Sequence, residues 1–411
     1  MREYIVLAIP FFFLLIGLEL LWARWQGEDL YRLNDSVNDL SCGILSQLLE
    51  VFTKTALFAG YLYLYGRARL FDVPGSPWAW VACFLAVDFI YYWFHRVSHE
   101  RNALWAGHIV HHSSEEYNLA VALRQGAFQG AFAWVFYLPL ALLGFPPVMF
   151  LVCSSFNTLY QFWIHTRAIG RLGPLEWVMN TPSHHRVHHA CNPKYIDRNY
   201  AGVFIVWDRM FGSFLAEDEE PAFGITKPLR SWNPVWANLH YWWDLLRNAA
   251  RSPRWGDRLR FLVAAPGWQP EEMGGFQAPP PIDRGTQVKF DPRLPKGLPL
   301  YVFVQFVGVL VFSSVLLFRQ ETWSLPTLVA GAVATVWSLV GVGALMEGKR
   351  WAWAAEVVRV ALLGAAAVAA LAPSTTVWAA LVGAVSVLLL VWLAVRRKVI
   401  GALGQRSPAA G

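Results

Sequence analysis

The sequence predicts an all-α, polytopic membrane protein of about nine transmembrane helices, with a histidine-rich region at one membrane face. Of its 411 residues, 56% are apolar and only 15% charged, against roughly a quarter charged in an ordinary soluble domain. Uncharged runs such as 300–318 and 377–395 are long enough to cross a hydrocarbon layer about 30 Å thick. Trp22, Trp25, Trp78, Trp80, Trp323, Trp351 and Trp353 fall at the ends of such runs, where an indole keeps its ring in the apolar layer and its N–H wet.

Hydropathy places the spans at 4–24, 41–65, 78–94, 126–144, 147–165, 298–318, 323–346, 351–372 and 376–395. The first is long, carries Glu19 and lacks a small-residue cleavage site, so it reads as a retained anchor and not a signal peptide. Of the 34 basic residues, 17 lie between 166 and 297, and Lys349, Arg350, Arg396, Arg397 and Lys398 flank the later spans. The positive-inside rule puts all of these in the cytoplasm. Nine spans then leave the N-terminus outside, with Arg67 and Arg69 in an external loop as the exception to the rule. The Pro279-Pro280-Pro281 triplet and its neighbouring prolines exclude regular helix, so 264–297 reads as a linker. It divides a chemistry-bearing membrane domain, 1–263, from a C-terminal four-helix membrane region, 298–411. The net charge of +6 is explained by topology without nucleic acid. Cys42, Cys83, Cys153 and Cys191 are scattered, with no CxxC pair, so neither a zinc knuckle nor a disulfide scaffold is implied.

Ten of the eleven histidines lie between 95 and 189. They form His95-x-x-x-His99, His108-x-x-His111-His112, a lone His165, and His184-His185-x-x-His188-His189. Side chains at i, i+3 and i+4 share a helix face, so each cluster can aim two or three ring nitrogens at one point. Thr181 as N-cap, Pro182 at the first helical position and a stop at Asn192-Pro193 predict a short helix for the last cluster. Imidazole suits iron, zinc, copper and nickel, and this many without a thiolate exceeds what one tetrahedral ion uses, so two metal ions are implied. A heme needs only two axial ligands. A metal transporter would place its site near mid-membrane on broken helices, whereas these clusters follow the spans; an immobile centre at the inner surface points to chemistry on lipid. His240 has no partner at ligand spacing. Asp88, seven residues before His95 and inside the third span, is a functional candidate because ionisable groups there are costly. Tyr91 and Tyr92 read as interfacial belt residues.

The motif series HxxxH, HxxHH, HxxHH resembles that of the fatty acid hydroxylase and sterol desaturase superfamily of membrane di-iron enzymes. The words around it are most similar to its alkylglycerol monooxygenase branch: Trp105-Ala106-Gly107-His108, His111-His112-Ser113-Ser114-Glu115, Ala122-Leu123-Arg124-Gln125, Trp163-Ile164-His165-Thr166, Asn180-Thr181-Pro182-Ser183-His184-His185, and Trp207-Asp208-Arg209. The resemblance covers about 30–250 and implies two iron ions that activate O2 and oxygenate a lipid C–H bond. Carried over motif by motif, the ligands are His95, His99, His108, His111, His112, His165, His185, His188 and His189, with Gln161 or His184 in a tenth position. Glu100, directly after the first motif, joins Asp88 as a candidate catalytic residue, and Glu115 and Glu116 as candidates that orient ligands.

Two electrons per turnover must come from an external donor, because the chain has no GxGxxG fingerprint, no iron–sulfur CxxC cluster and no appended heme domain. The resemblance implies tetrahydrobiopterin, while other branches of the superfamily take electrons from cytochrome b5 or ferredoxin. The ligand set alone would also accept zinc. The implied substrate is a single-tailed lipid drawn from the bilayer: an alkylglycerol oxidised beside its ether oxygen, or a fatty acyl or sterol carbon at similar depth.

Overall fold

The computed structural model describes residues 4–282, 284–285, 287–372 and 375–401; the outermost boundaries of the expected regions, at 1 and 411, lie outside the described residues. Fourteen α-helices account for the architecture of the described residues: α1 (Tyr4–Gln26), α2 (Leu33–Ala68), α3 (Pro77–Glu100), α4 (Asn102–His112), α5 (Gln129–Leu143), α6 (Pro147–Trp163), α7 (Pro182–His189), α8 (Val206–Met210), α9 (Pro234–Arg251), α10 (Trp255–Val263), α11 (Leu298–Arg319), α12 (Leu325–Met346), α13 (Ala352–Leu371) and α14 (Thr376–Gly401). Among the described residues there is no strand, only two isolated bridges, Met179 with Phe204 and Ala190 with Phe223.

Seven of these helices are long and apolar enough to cross a membrane: α1, α2, α3 and α11 to α14. The fourth and fifth expected spans differ. They are α5 and α6, of 15 and 17 residues, short of the about 20 a perpendicular crossing needs. Gly144, with φ 91°, caps α5, and Pro146-Pro147 starts α6, so this apolar stretch is a short helical hairpin. A side chain at Gly144 would run into the Phe71 carbonyl, which is why the turn requires glycine. The second span begins earlier than hydropathy suggests, because its first turns carry buried Asn34, Asp35, Asn38 and Asp39, which a hydropathy window scores as loop. The start of α3 obeys local rules: Ser76 Oγ accepts the Ala79 N–H at 3.3 Å, and Pro77 occupies the first turn.

The chain divides into two compact units, one of residues 1–229 and 236–289, the other of 230–235 and 290–411. In the first, α2 packs on α5 and α3 on α4, α5 and α6. Tyr61, Cys83, Val87, Leu140, Met149 and Cys153 are the centre of its apolar core. The described residues of 264–289, the greater part of the expected linker 264–297, belong to this unit. Ala264 accepts the Asn102 N–H at 2.9 Å, Gln287 Nε2 donates to the Phe223 carbonyl at 2.5 Å, and Lys289 pairs with Glu116 at 2.6 Å. Proline prevents helix there, but not adhesion to a surface.

The second unit holds α11 to α14. At its centre, fully buried Glu356 accepts the Tyr301 hydroxyl at 2.6 Å and a two-nitrogen clasp from Arg359, at 2.6 and 2.7 Å. Arg359 also donates to Gln305 at 2.6 Å and Ser338 at 3.3 Å. Removing one partner of such a pair strands the other charge, which costs about 3–5 kcal/mol. Glu356→Leu is therefore expected to lower the detergent-phase melting temperature of the second unit while leaving the metal content of the first unchanged; metal loss accompanying that change would show the units are not independent.

Candidate metal centre

Four segments of the first unit deliver nine imidazoles. His95 and His99 lie on the last turns of α3, His108, His111 and His112 on α4, His165 just after α6, and His185, His188 and His189 on α7. They converge as two buried groups: His95, His99, His108, His112 and His188; and His111, His165, His185 and His189. Within each group the candidate ligand atoms lie within 4.8 Å of one another. Pairs four apart (95/99, 108/112, 185/189) stay in one group because they share a helix face. Adjacent residues diverge by about 100°, so the doublets His111-His112 and His188-His189 are shared out, one ring to each group.

Most rings are oriented from behind. His95 Nδ1–H donates to the Tyr200 carbonyl, His111 to Arg124, His165 to Gln161 and His188 to Arg198, at 2.7–2.9 Å. His108 Nδ1 lies 2.8 Å from Gln129 Oε1 and His99 Nδ1 lies 3.4 Å from Asp197. A carbonyl only accepts, so in those four rings the proton is on Nδ1 and the Nε2 lone pair faces inward. The His111 and His165 Nε2 atoms nevertheless lie 3.2 Å apart, and those of His95 and His108 2.9 Å apart. Two lone pairs cannot hydrogen-bond each other; a shared cation turns that opposition into coordination. Nε2 of His99, His188 and His189 is buried and has no hydrogen-bond partner, as expected of atoms reserved for an ion.

Burial first, and the neighbouring imidazoles second, hold His112, His185 and His189 well below the usual histidine range. Burial pushes His108 down to about 4. These rings are neutral at physiological pH, the form that binds metal. With a metal–nitrogen distance of about 2.1 Å, ligands at right angles are about 3.0 Å apart and tetrahedral ones about 3.4 Å. The observed Nε2 separations of 2.9–3.2 Å lie nearer the first, and five donors in one group already exceed a structural zinc site. The donor set fits two ions of higher coordination number, iron among them.

The other candidates drawn from the sequence are placed apart from these groups. Gln161 spends its side chain on Asn157, at 2.8 Å to Oδ1, and contributes only its carbonyl, to His165. His184 lies in neither group; although four residues before His188, it sits in the first turn of α7, faces Phe214 and lies 4.0 Å from Glu176. Thr181 occupies the N-cap, but its hydroxyl donates to Glu176 and accepts no N–H of the helix. Glu100 is partly exposed and pairs with Arg96 at 2.8 Å. Glu115 and Glu116 are buried and pair with Arg32. Tyr92, expected in the membrane belt, is fully buried, with its hydroxyl 2.9 Å from Ser213; Tyr91 packs on the His95 ring at 5.2 Å. His240, read as having no ligand role, hydrogen-bonds the Ala237 carbonyl.

Asp88 is buried and accepts four hydrogen bonds at 2.7–3.0 Å, from Asn157 Nδ2, Val203 N, Phe204 N and Trp207 Nε1. It anchors the strap 200–204, whose Tyr200 carbonyl holds His95. Asp208, which sequence reasoning passed over, accepts the Tyr200 and Ala201 N–H groups at 2.8 Å. Asn180 donates to the Ala201 carbonyl at 2.6 Å, and Asn199, at φ 55°, sets up the turn into the strap. Gly202 sits so close to Asp88, Tyr91 and Asn157 that a side chain would collide. Arg124, fully buried, was also missed: its guanidinium binds the Val110 carbonyl, Asn38 and Asp39 at 2.6–3.0 Å while its carbonyl holds His111. Acceptor carbonyls have no sequence signature. The available signal was a charged residue inside a motif word, Arg124 in Ala122-Leu123-Arg124-Gln125 and Asp208 in Trp207-Asp208-Arg209, to which no site role was given.

A fatty acid hydroxylase family model matches residues 80–213, the stretch that contains all nine converging histidines. Alkylglycerol monooxygenase of Homo sapiens is 40% identical over 361 residues, covering 87% of this chain and 81% of the human protein. Those of Xenopus tropicalis (43%, 75% and 69% covered) and Danio rerio (39%, 88% and 81% covered) are similar too. No solved structure matches. Motifs, geometry and relatives agree, and the chain belongs to the fatty acid hydroxylase family.

Proposed function

We propose that this protein is a membrane di-iron monooxygenase that hydroxylates the carbon next to the ether oxygen of an alkylglycerol. The observation that carries the chemistry is the pair of imidazole groups whose inward lone pairs oppose one another at 2.9–3.2 Å. His95, His99, His108, His112 and His188 would hold one ion, and His111, His165, His185 and His189 the other. The relatives' printed names support the substrate. Bound there, two irons supply reductive activation of O2 for insertion into a C–H bond. One oxygen atom enters the ether carbon, the other leaves as water, and the resulting hemiacetal separates into an aldehyde and a glycerol derivative. The two electrons and two protons come from an external reductant, which we assign to tetrahydrobiopterin.

The protein's own contribution is orientation and exclusion of water. Backbone carbonyls fix the ring tautomers, and the two groups are buried among Tyr117, Tyr200 and Phe223. For the substrate tail, an apolar cleft of about 490 Å³ lies between α3 and α6, lined by Trp80, Phe84, Cys153, Phe156 and Phe204. Phe84 and His95 are eleven residues apart, three helical turns along one face of α3, so a chain reaching from the metals to the cleft needs an extended length of about 16 Å. The concentration of basic residues in 166–297 favours a cytoplasmic site. The test is an aerobic assay of the purified protein. An alkylglycerol with reduced pterin should give aldehyde, whereas the matching acyl lipid or a sterol, with a ferredoxin system, should give no product; hydroxylated acyl or sterol product without ether cleavage would overturn the substrate assignment.

A further inference from the structure

We infer that α9 and α10 form an interfacial collar that seats on an anionic membrane leaflet and sets the depth of the metal-bearing helix α4. The exposed face of α9 carries Trp236, Leu239, Trp243 and Leu246, spaced three, four and three, and α10 continues with Trp255, Leu259 and Val263, each four apart. These side chains are 41–76% exposed. Such spacing draws one continuous apolar stripe per helix, while Ala237, Asn238, Leu245 and Phe261 turn the opposite faces into the first unit. Large apolar side chains in this number and order are not scattered surface residues.

The occupant is argued from charge and from depth. Arg247, Arg251, Arg254, Arg258 and Arg260 accompany the stripe, against Asp244 and Asp257 on the same helices. Arg258 lies over the Trp255 ring at 4.4 Å and Arg260 over Trp268 at 4.6 Å. A basic helix pair with Trp and Leu on its apolar face is the composition of a segment that lies in the headgroup layer. Depth follows from covalent neighbours. The candidate span α3 ends at Glu100; the next side chain, Arg101, donates to the Val263 carbonyl at 3.1 Å, and Asn102 N donates to Ala264 at 2.9 Å. The end of α10 is therefore bonded to the chain where α3 leaves the bilayer. Tyr241 donates to Asn102 Oδ1 at 2.6 Å, and Asn238 accepts from Ala127 N at 2.8 Å, so the collar also holds the start of α4 and the loop beyond it.

The four native cysteines are buried, so single introduced cysteines can be labelled selectively in the full chain. Leu246→Cys, Leu259→Cys and, as the polar-flank reference, Asp244→Cys would each carry an environment-sensitive fluorophore in nanodiscs containing doxyl lipids. Labels at 246 and 259 should be quenched by shallow-doxyl lipid about threefold more than the label at 244. That quenching should deepen when phosphatidylglycerol replaces phosphatidylcholine, and lose this dependence in Arg247→Glu/Arg251→Glu. Aqueous labels at both stripe positions would overturn the inference. So would quenching insensitive to lipid charge, or shielding seen only in discs holding more than one copy, which would make the stripe a protein–protein surface.

Discussion

The wild-type protein is expected to hold two metal ions and His165→Ala one, whereas His99→Ala is expected to keep both. The asymmetry comes from the arrangement. His99 is one of five imidazoles in its group, and its Nδ1 has only a 3.4 Å contact with Asp197 behind it; without it four donors remain, still a complete set for one ion. His165 is one of four, its ring held by the Gln161 carbonyl at 2.7 Å and its Nε2 3.0–3.2 Å from those of His185 and His111. Its loss leaves three donors. Residues that merely orient a ligand change affinity or activity about 10–100-fold, so removing this ligand should cost activity at least about 100-fold. Metal analysis of the two purified variants beside wild type is the measurement. Equal losses, or two ions retained in both, would mean that the two groups do not act as separate sites.

How much of this was legible in the sequence depends on which physics each feature uses. The nine histidines were, because ligand spacing on a helix is a local property: 95/99, 108/112 and 185/189 need only the helical repeat. The division into two groups was not, since it depends on how α3, α4, α7 and the residue after α6 are brought together. Gln161 and His184 show the same limit from the other side. Both lie within four residues of a converging histidine, yet the first is turned toward Asn157 and the second toward Glu176, directions that only tertiary packing decides. Hydropathy found the long spans and broke the α5–α6 hairpin at Gly144–Pro146 as the structure does, but ran both segments past the outer ends of their helices, Gln129 and Trp163, because an apolar window does not see where helical backbone starts and stops. It also hid the amphipathic α9 and α10, whose averaged hydropathy is modest while their exposed stripe is not.

Asp88→Asn is expected to lower turnover about 10–100-fold with iron occupancy reduced and the KM for lipid little changed. Asp88 touches neither imidazole group, so it is a positioning residue, and its reach extends to both. Its Oδ1 and Oδ2 hold the Val203 and Phe204 N–H groups, fixing the strap whose Tyr200 carbonyl orients His95. Through Asn157, which donates to Asp88 and accepts from Gln161, it also steadies the turn whose carbonyl orients His165. An amide in its place turns one of two acceptors into a donor that faces existing donors, and each buried group left unpaired costs about 1–3 kcal/mol. The control is Trp207→Phe, which removes one donor to Asp88 without orphaning a backbone group and should leave kcat within about twofold, its cost being one modest hydrogen bond. A purely structural role would lower yield and stability of both variants and leave the iron spectrum of the surviving protein unaltered. The positioning role requires Asp88→Asn, and not Trp207→Phe, to change that spectrum along with kcat, and a normal spectrum and kcat in Asp88→Asn would overturn it.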